Sequence, residues 1–80
     1  MDIKAFLKER DEVLCSGDPI KVMAFHNLYN PEKPMTDPKM AEVALHKART
    51  GCTSIPLELR KRSKAWLTLN GFQSLDDGDL

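Results

Sequence analysis

The chain has 80 residues, 41% of them hydrophobic, and its 12 basic and 12 acidic side chains give a formal net charge of zero. This length accommodates one domain, and a neutral chain is not typical of a dedicated DNA-binding protein, which is usually strongly basic. No apolar stretch approaches the roughly 20 residues of a membrane span, and the N-terminus has no apolar run of the signal-peptide type. We therefore expect a cytoplasmic protein without a membrane segment.

The first half of the chain predicts two helices. Asp2 is a suitable N-cap for a helix whose apolar residues recur at spacings of three, four and seven. Gly17 ends this helix, and Asp18 followed by Pro19 starts another, because proline is favoured at the first helical position. The second helix, roughly residues 19–29, is apolar on nearly all sides, which predicts that it is the most buried helix.

The second half predicts two more helices after a proline-rich break at residues 30–34. Helix three is predicted over residues 38–50, with an aspartate and a proline at its start and a glycine as its stop. Helix four is predicted over residues 56–70. Gly71 and Phe72 follow it in the arrangement of a Schellman motif, in which an αL glycine ends the helix and the next residue packs back on it.

Residues 75–80 form an acidic tail without periodicity, and this composition predicts disorder. The alternative is that the acids of this tail fold over the basic residues of helices three and four and screen them. Elsewhere we find no alternating strand pattern and no internal repeat. The sequence therefore predicts an all-α fold, with one small domain of about four short helices in residues 1–74, followed by the tail at residues 75–80.

Projection at 100° per residue predicts which sides of helices three and four face the core. On helix three, the apolar side comprises Met40, Val43, Ala44 and Ala48, and the polar stripe comprises Lys39, Glu42, His46 and Arg49. On helix four, the inward side comprises Leu59, Ser63, Trp66, Leu67 and Asn70. Trp66, the single tryptophan, is therefore predicted to be a core residue.

Basic residues cluster in the second half of the chain. Six of the 12 lysines and arginines lie between Lys47 and Lys64, against one acid, Glu58. Such a cluster is either a solvated helix face or a surface that binds anions. If the turn between helices three and four brings their cations together, five residues form one predicted basic surface: Lys47, Arg49, Arg60, Lys61 and Lys64.

The sequence gives no indication of catalysis or of metal binding. Cys15, Cys52, His26 and His46 do not have the spacing of zinc ligands, and both cysteines are expected to be reduced. The chain contains no glycine-rich phosphate loop and no Gly-x-Ser-x-Gly motif. We therefore expect no metal, no cofactor and no enzymatic activity.

Several short segments form one pattern: His46-Lys47-Ala48-Arg49, Ile55-Pro56-x-Glu58-x-Arg60, Ser63-Lys64-x-Trp66-Leu67 and Gly71-Phe72. Together with residues 6–12, this pattern covers about half of the chain and resembles small uncharacterised proteins encoded in bacteriophage and prophage gene clusters. The chain departs from the pattern at Ala41-Glu42, where an aromatic pair is expected. The resemblance implies a small accessory protein of phage type that acts by binding, and it supplies no catalytic residues.

Three functions are compatible with these features. The first is a non-catalytic accessory protein whose basic surface binds an acidic protein face or a nucleic-acid backbone. The second is a nucleic-acid-binding regulator that uses helix four, although the turn before this helix is long for a helix-turn-helix motif. The third is a structural subunit that self-associates through exposed apolar surface. Binding should weaken steeply with salt in the first two cases and not in the third.

Overall fold

A computed structural model of the chain describes residues 2–78 and Leu80. The helices are α1 (Ile3–Ser16), α2 (Pro19–Tyr29), α3 (Pro38–Gly51) and α4 (Leu57–Leu69). The predicted all-α class and the four helices in one small domain are thereby confirmed. Within the described part of the chain, none of the helices has the length and apolar character needed to cross a membrane.

Three of these helices begin at an aspartate N-cap, as the sequence predicts. Asp2, Asp18 and Asp37 each accept a hydrogen bond from the backbone N–H two residues later, at 3.0, 2.9 and 2.9 Å. Each bond satisfies a donor that the first helical turn leaves without a partner. The fourth helix differs, because Pro56 stands at its N-cap and offers no capping side chain.

Glycines in the left-handed conformation follow two helices. Gly17 (φ 69°) follows α1 and Gly71 (φ 80°) lies just beyond α4. The N–H of Phe72 donates to the carbonyl of Leu67 at 2.8 Å, which is the bond expected of a Schellman motif. At the end of α3, Gly51 is itself the last helical residue, so this helix extends one residue beyond its predicted end.

The core is built around α3, which packs against the other three helices. Its buried apolar residues are Leu14, Val22, Ala41, Leu45, Ile55 and Leu67. The prediction that α2 is the most buried helix is wrong, because α2 contributes only Val22, and its Ile20 and Leu28 are exposed. The reason is that α2 packs on α1 and α3 without a further element to cover its remaining sides.

The buried side of α3 also differs from the prediction. Ala41, Leu45 and Arg49, spaced four residues apart, are buried, whereas Met40 is exposed. The projection assigns the more apolar side of a helix to the core, so it places Met40 inside and Arg49 outside. The small side chain of Ala41 and the internal partners of Arg49 reverse this order.

An aromatic cluster, defined as Phe6, Phe25 and Tyr29, fills the space between α1 and α2. Its ring centroids lie 4.9–5.3 Å apart, within the favourable range for aromatic pairs. The hydroxyl of Tyr29 donates to Glu9 Oε2 at 3.2 Å. This part of the molecule is therefore held mainly by apolar contact.

Candidate binding site

Arg49 joins three helices at the interface of α3 and α4. Its side chain is largely buried, with 7% of the residue exposed, and its Nε donates to the carbonyl of Leu14 at 2.7 Å. Its Nη1 lies 3.5 Å from the hydroxyl of Ser63, which is fully buried. Burial lowers the pKa of Arg49, but the ordinary value is so high that the group stays charged. The prediction that Arg49 lies in the polar stripe of α3 and on the basic surface is therefore wrong.

His46 continues this network at the same interface. Its Nδ1 lies 2.8 Å from Ser63 Oγ, and its ring stacks on Trp66 at a centroid distance of 4.2 Å. Burial lowers the pKa of His46 and the charge of Arg49 lowers it further, whereas Glu42 raises it. A histidine beside a serine is also the geometry of a base and a nucleophile. Ser63 is, however, fully buried, so its hydroxyl is not accessible to a substrate in this conformation.

Trp66 is half-buried rather than central. Its ring lies against His46 on one side and is parallel to the ring of Phe72, at a centroid distance of 6.3 Å. Ser63 and Leu67 occupy the fully buried positions of α4 instead. The predicted inward side of α4 is therefore correct for Ser63 and Leu67, whereas Leu59 and Trp66 are half-buried and Asn70 is exposed.

The other four residues of the predicted basic surface remain near the surface. Arg60, Lys61 and Lys64 lie within an arc of about 100° on α4. Lys61 is exposed, whereas Arg60 and Lys64 are half-buried. Lys47 is half-buried on α3, and its Nζ lies 6.0 Å from the ring centroid of Phe72, beyond the C-terminal end of α4. The structure thus groups three cations on α4 and places the fourth beside the end of this helix.

The acidic tail contacts this surface. Asp76 accepts a hydrogen bond from Lys64 Nζ at 3.0 Å, and only 2% of its side chain is exposed. Lys64 Nζ also donates to the backbone oxygen of Leu80 at 2.8 Å. Hydrogen bonds from Ser74 and Lys64 hold the pKa of Asp76 well below its ordinary value. The disorder of the tail stays a prediction, and Asp79 lies outside the described residues.

Leu75 anchors the start of the tail on α3. Its backbone N–H donates to Thr50 Oγ1 at 2.8 Å, and the Thr50 hydroxyl donates in turn to the carbonyl of Lys47 at 2.7 Å. A Cβ on Gly51 would lie 3.3 Å from the Cβ of Leu75, so a glycine leaves room for this contact. The sequence offered a contact between the tail and the basic residues only as the alternative to disorder, and the tail has no period that would indicate which helix it lies on. The only signal was an acidic tail in a neutral chain with a basic cluster.

The described residues include no group of three or more His, Cys, Asp or Glu side chains that could hold a metal ion. Cys15 is exposed, Cys52 is half-buried, and both are free thiols. Comparison of the chain with protein-family models, with curated proteins and with solved structures finds no match. Any function assigned to this chain therefore has to be argued from its own residues.

Proposed function

We propose that this protein is a non-catalytic binding module whose basic surface binds an acidic face of a partner protein. The surface is now defined by Arg60, Lys61 and Lys64 on α4, because Arg49 is buried and Lys47 lies beside Phe72, beyond the C-terminal end of this helix. One observation carries the proposal: Lys64 already binds a protein carboxylate, that of Asp76, at 3.0 Å. A lysine that orders a carboxylate of its own chain is chemically suited to carboxylates of another.

Two features favour a protein partner over nucleic acid. The net charge is zero, whereas proteins that bind a phosphate backbone are usually strongly basic. The anion that Lys64 binds is also a carboxylate, that of Asp76, which is the charged group that an acidic protein face supplies. An accessory role in a phage-type, cytoplasmic setting belongs to this proposal, and its support is the sequence resemblance.

Reversal of one charge tests the proposal. Lys61 is exposed on α4 and has no ion-pair partner among the described residues, so Lys61→Glu should change stability by no more than about 0.5 kcal/mol. The Lys61→Glu protein should bind a fluorescein-labelled oligoglutamate peptide about fivefold to tenfold more weakly than wild type. The affinity of the wild-type protein for this peptide should fall as the salt concentration rises. Lys21→Glu on α2 is the matched control, because it makes the same charge change on an exposed residue of another helix.

The affinities of the Lys61→Glu and Lys21→Glu proteins distinguish a specific basic surface from an effect of net charge. Equal weakening by both substitutions would mean that only net charge matters, and the surface would lose its role. Tighter binding to a single-stranded oligonucleotide than to the acidic peptide, with a steep salt dependence, would favour the regulator that uses α4.

Self-association is a second candidate, and exposed apolar side chains favour it. Ile3 and Leu7 on α1 and Ile20 and Leu28 on α2 are exposed to solvent, and apolar surface of this kind often marks an interface. Sedimentation velocity over a range of protein and salt concentrations tests it. A dimer that persists at high salt, and that Leu28→Lys dissociates, would support self-association over binding through the basic surface.

A further inference from the structure

The tail lies on a small surface formed by the end of α3 and the middle of α4. We name this surface the tail groove and define it by Thr50, Gly51 and Lys64. Its contacts with the tail are of three kinds: a hydroxyl that accepts a backbone N–H, an ammonium group that binds a carboxylate, and a glycine against which one side of Leu75 lies while 58% of that residue stays exposed. These are contacts that bind an extended peptide through both its backbone and its side chains.

The degree of burial distinguishes the ion pair of Lys64 and Asp76 from an ordinary surface ion pair. The side chain of Lys64 is 31% exposed and that of Asp76 only 2% exposed, whereas most surface ion pairs are solvated and contribute little. Thr50 is also buried, and its hydroxyl both donates and accepts a hydrogen bond. The groove therefore holds its occupant at defined atoms and not by diffuse charge.

The fit of the tail is nevertheless incomplete. Arg60 Nε is buried and has no hydrogen-bond partner among the described residues. Arg60 lies one helical turn before Lys64 on the same side of α4, about 6 Å along the axis. A buried donor without a partner is costly, so a peptide that satisfied Arg60 as well as Lys64 would bind better than the tail does.

We propose that the tail groove is a binding site for an acidic peptide segment, in which an apolar residue precedes an aspartate, and that the tail occupies this site as an internal competitor. Leu75 and Asp76 supply the apolar residue and the aspartate in the unbound protein. A partner segment displaces them and gains the additional contact to Arg60. This inference rests on the proposed function and specifies the partner class and the regulation of the same surface.

Tethering determines how strongly the tail competes. A segment joined by a short flexible linker has an effective concentration in the millimolar range. A peptide that binds the open groove with a Kd near 100 μM would therefore bind the intact protein about tenfold more weakly. Release of the tail from the groove should restore the affinity of the open groove for the peptide.

The experiment uses the full chain and a fluorescein-labelled synthetic peptide of residues 73–80 as the probe, with binding followed by fluorescence anisotropy. Asp76→Asn removes the carboxylate that binds Lys64, and Asp77→Asn is the matched control, since Asp77 is an exposed neighbour of the same charge. Asp76→Asn should bind the peptide about tenfold more tightly than wild type, and Asp77→Asn should bind it as wild type does. Adding Lys64→Gln to Asp76→Asn should abolish the gain.

Three results would overturn the inference. The first is equal affinity of the Asp76→Asn and Asp77→Asn proteins for the peptide. The second is loss of helical circular dichroism in Asp76→Asn, because the tail would then be part of the fold rather than a displaceable occupant. The third is tighter binding of a single-stranded oligonucleotide than of the peptide by the Asp76→Asn protein.

The inference and the proposed function can fail separately. If Asp76→Asn gains no affinity while Lys61→Glu still weakens binding of the oligoglutamate peptide, the tail is not a competitor and the basic surface keeps its role. If neither substitution changes any binding, both fail.

Discussion

The interface of α1 and α2 and the interface of α3 and α4 are held together by different chemistry. The first contains the aromatic cluster of Phe6, Phe25 and Tyr29. The second contains a buried polar network in which Arg49 and His46 both approach the hydroxyl of Ser63. Apolar contact depends mainly on area and volume and tolerates similar side chains. A polar network depends on every member, because each lost partner leaves another buried group unsatisfied.

This difference predicts that substitutions in the polar network are more damaging than substitutions of the same residue type outside it. Arg49→Ala should produce the largest effect, a loss of about 3 kcal/mol in the free energy of unfolding, from the unpaired carbonyl of Leu14 and the cavity left behind. Urea denaturation measures this loss. Arg62→Ala is the control, because Arg62 forms an exposed pair with Glu58, and it should cost no more than about 0.5 kcal/mol. Equal losses would contradict the comparison.

Trp66 tests whether stacking couples the one aromatic ring of α4 to the polar network. Trp66→Ala should cost about 2–3 kcal/mol, less than removal of a fully buried tryptophan, because the ring is half-buried. A double-mutant cycle with His46→Ala should give a coupling energy of about 0.5–1.5 kcal/mol from the stacked pair. A cycle that combines Trp66→Ala with Phe25→Ala, in the aromatic cluster, should be additive. Coupling energies of equal size in the two cycles would mean that the interfaces are not independent.

The smallest expected effect is a dependence of stability on pH that arises only in the polar network. The pKa of His46 is lower in the folded protein than its ordinary value of 6.5, so below that pH the unfolded chain binds more protons than the folded one. Stability should therefore fall as pH decreases through 6.5 towards the folded pKa. Urea unfolding between about pH 7.5 and 5 measures this slope, above the range in which carboxylates dominate.

Substituting each histidine in turn shows which of them causes this dependence of stability on pH. His46→Asn should reduce it, whereas His26→Asn should retain it, because the ring of His26 lies near the carbonyl of Lys33 and outside the network. If His26→Asn removes the slope and His46→Asn does not, the acid sensitivity does not come from the interface of α3 and α4.

Local sequence determined the helices and most of their ends. Aspartate caps, the prolines that follow two of them, and Gly17 and Gly71 act within a few residues of where they stand, so their effect is visible without the fold. The clustering of cations on α4 was equally predictable, because residues three and four positions apart on a helix are neighbours. The identity of these elements therefore follows from short-range chemistry.

Tertiary structure alone decided which polar groups are buried and where the tail lies. Arg49 is buried because it binds a carbonyl 35 residues earlier in the chain, and Lys64 is half-covered because it binds an aspartate 12 residues later. A projection of one helix contains no information about such partners. Burial of a charged group is decided by the hydrogen bonds that replace water, and here these bonds come from distant parts of the chain that only the folded arrangement brings together.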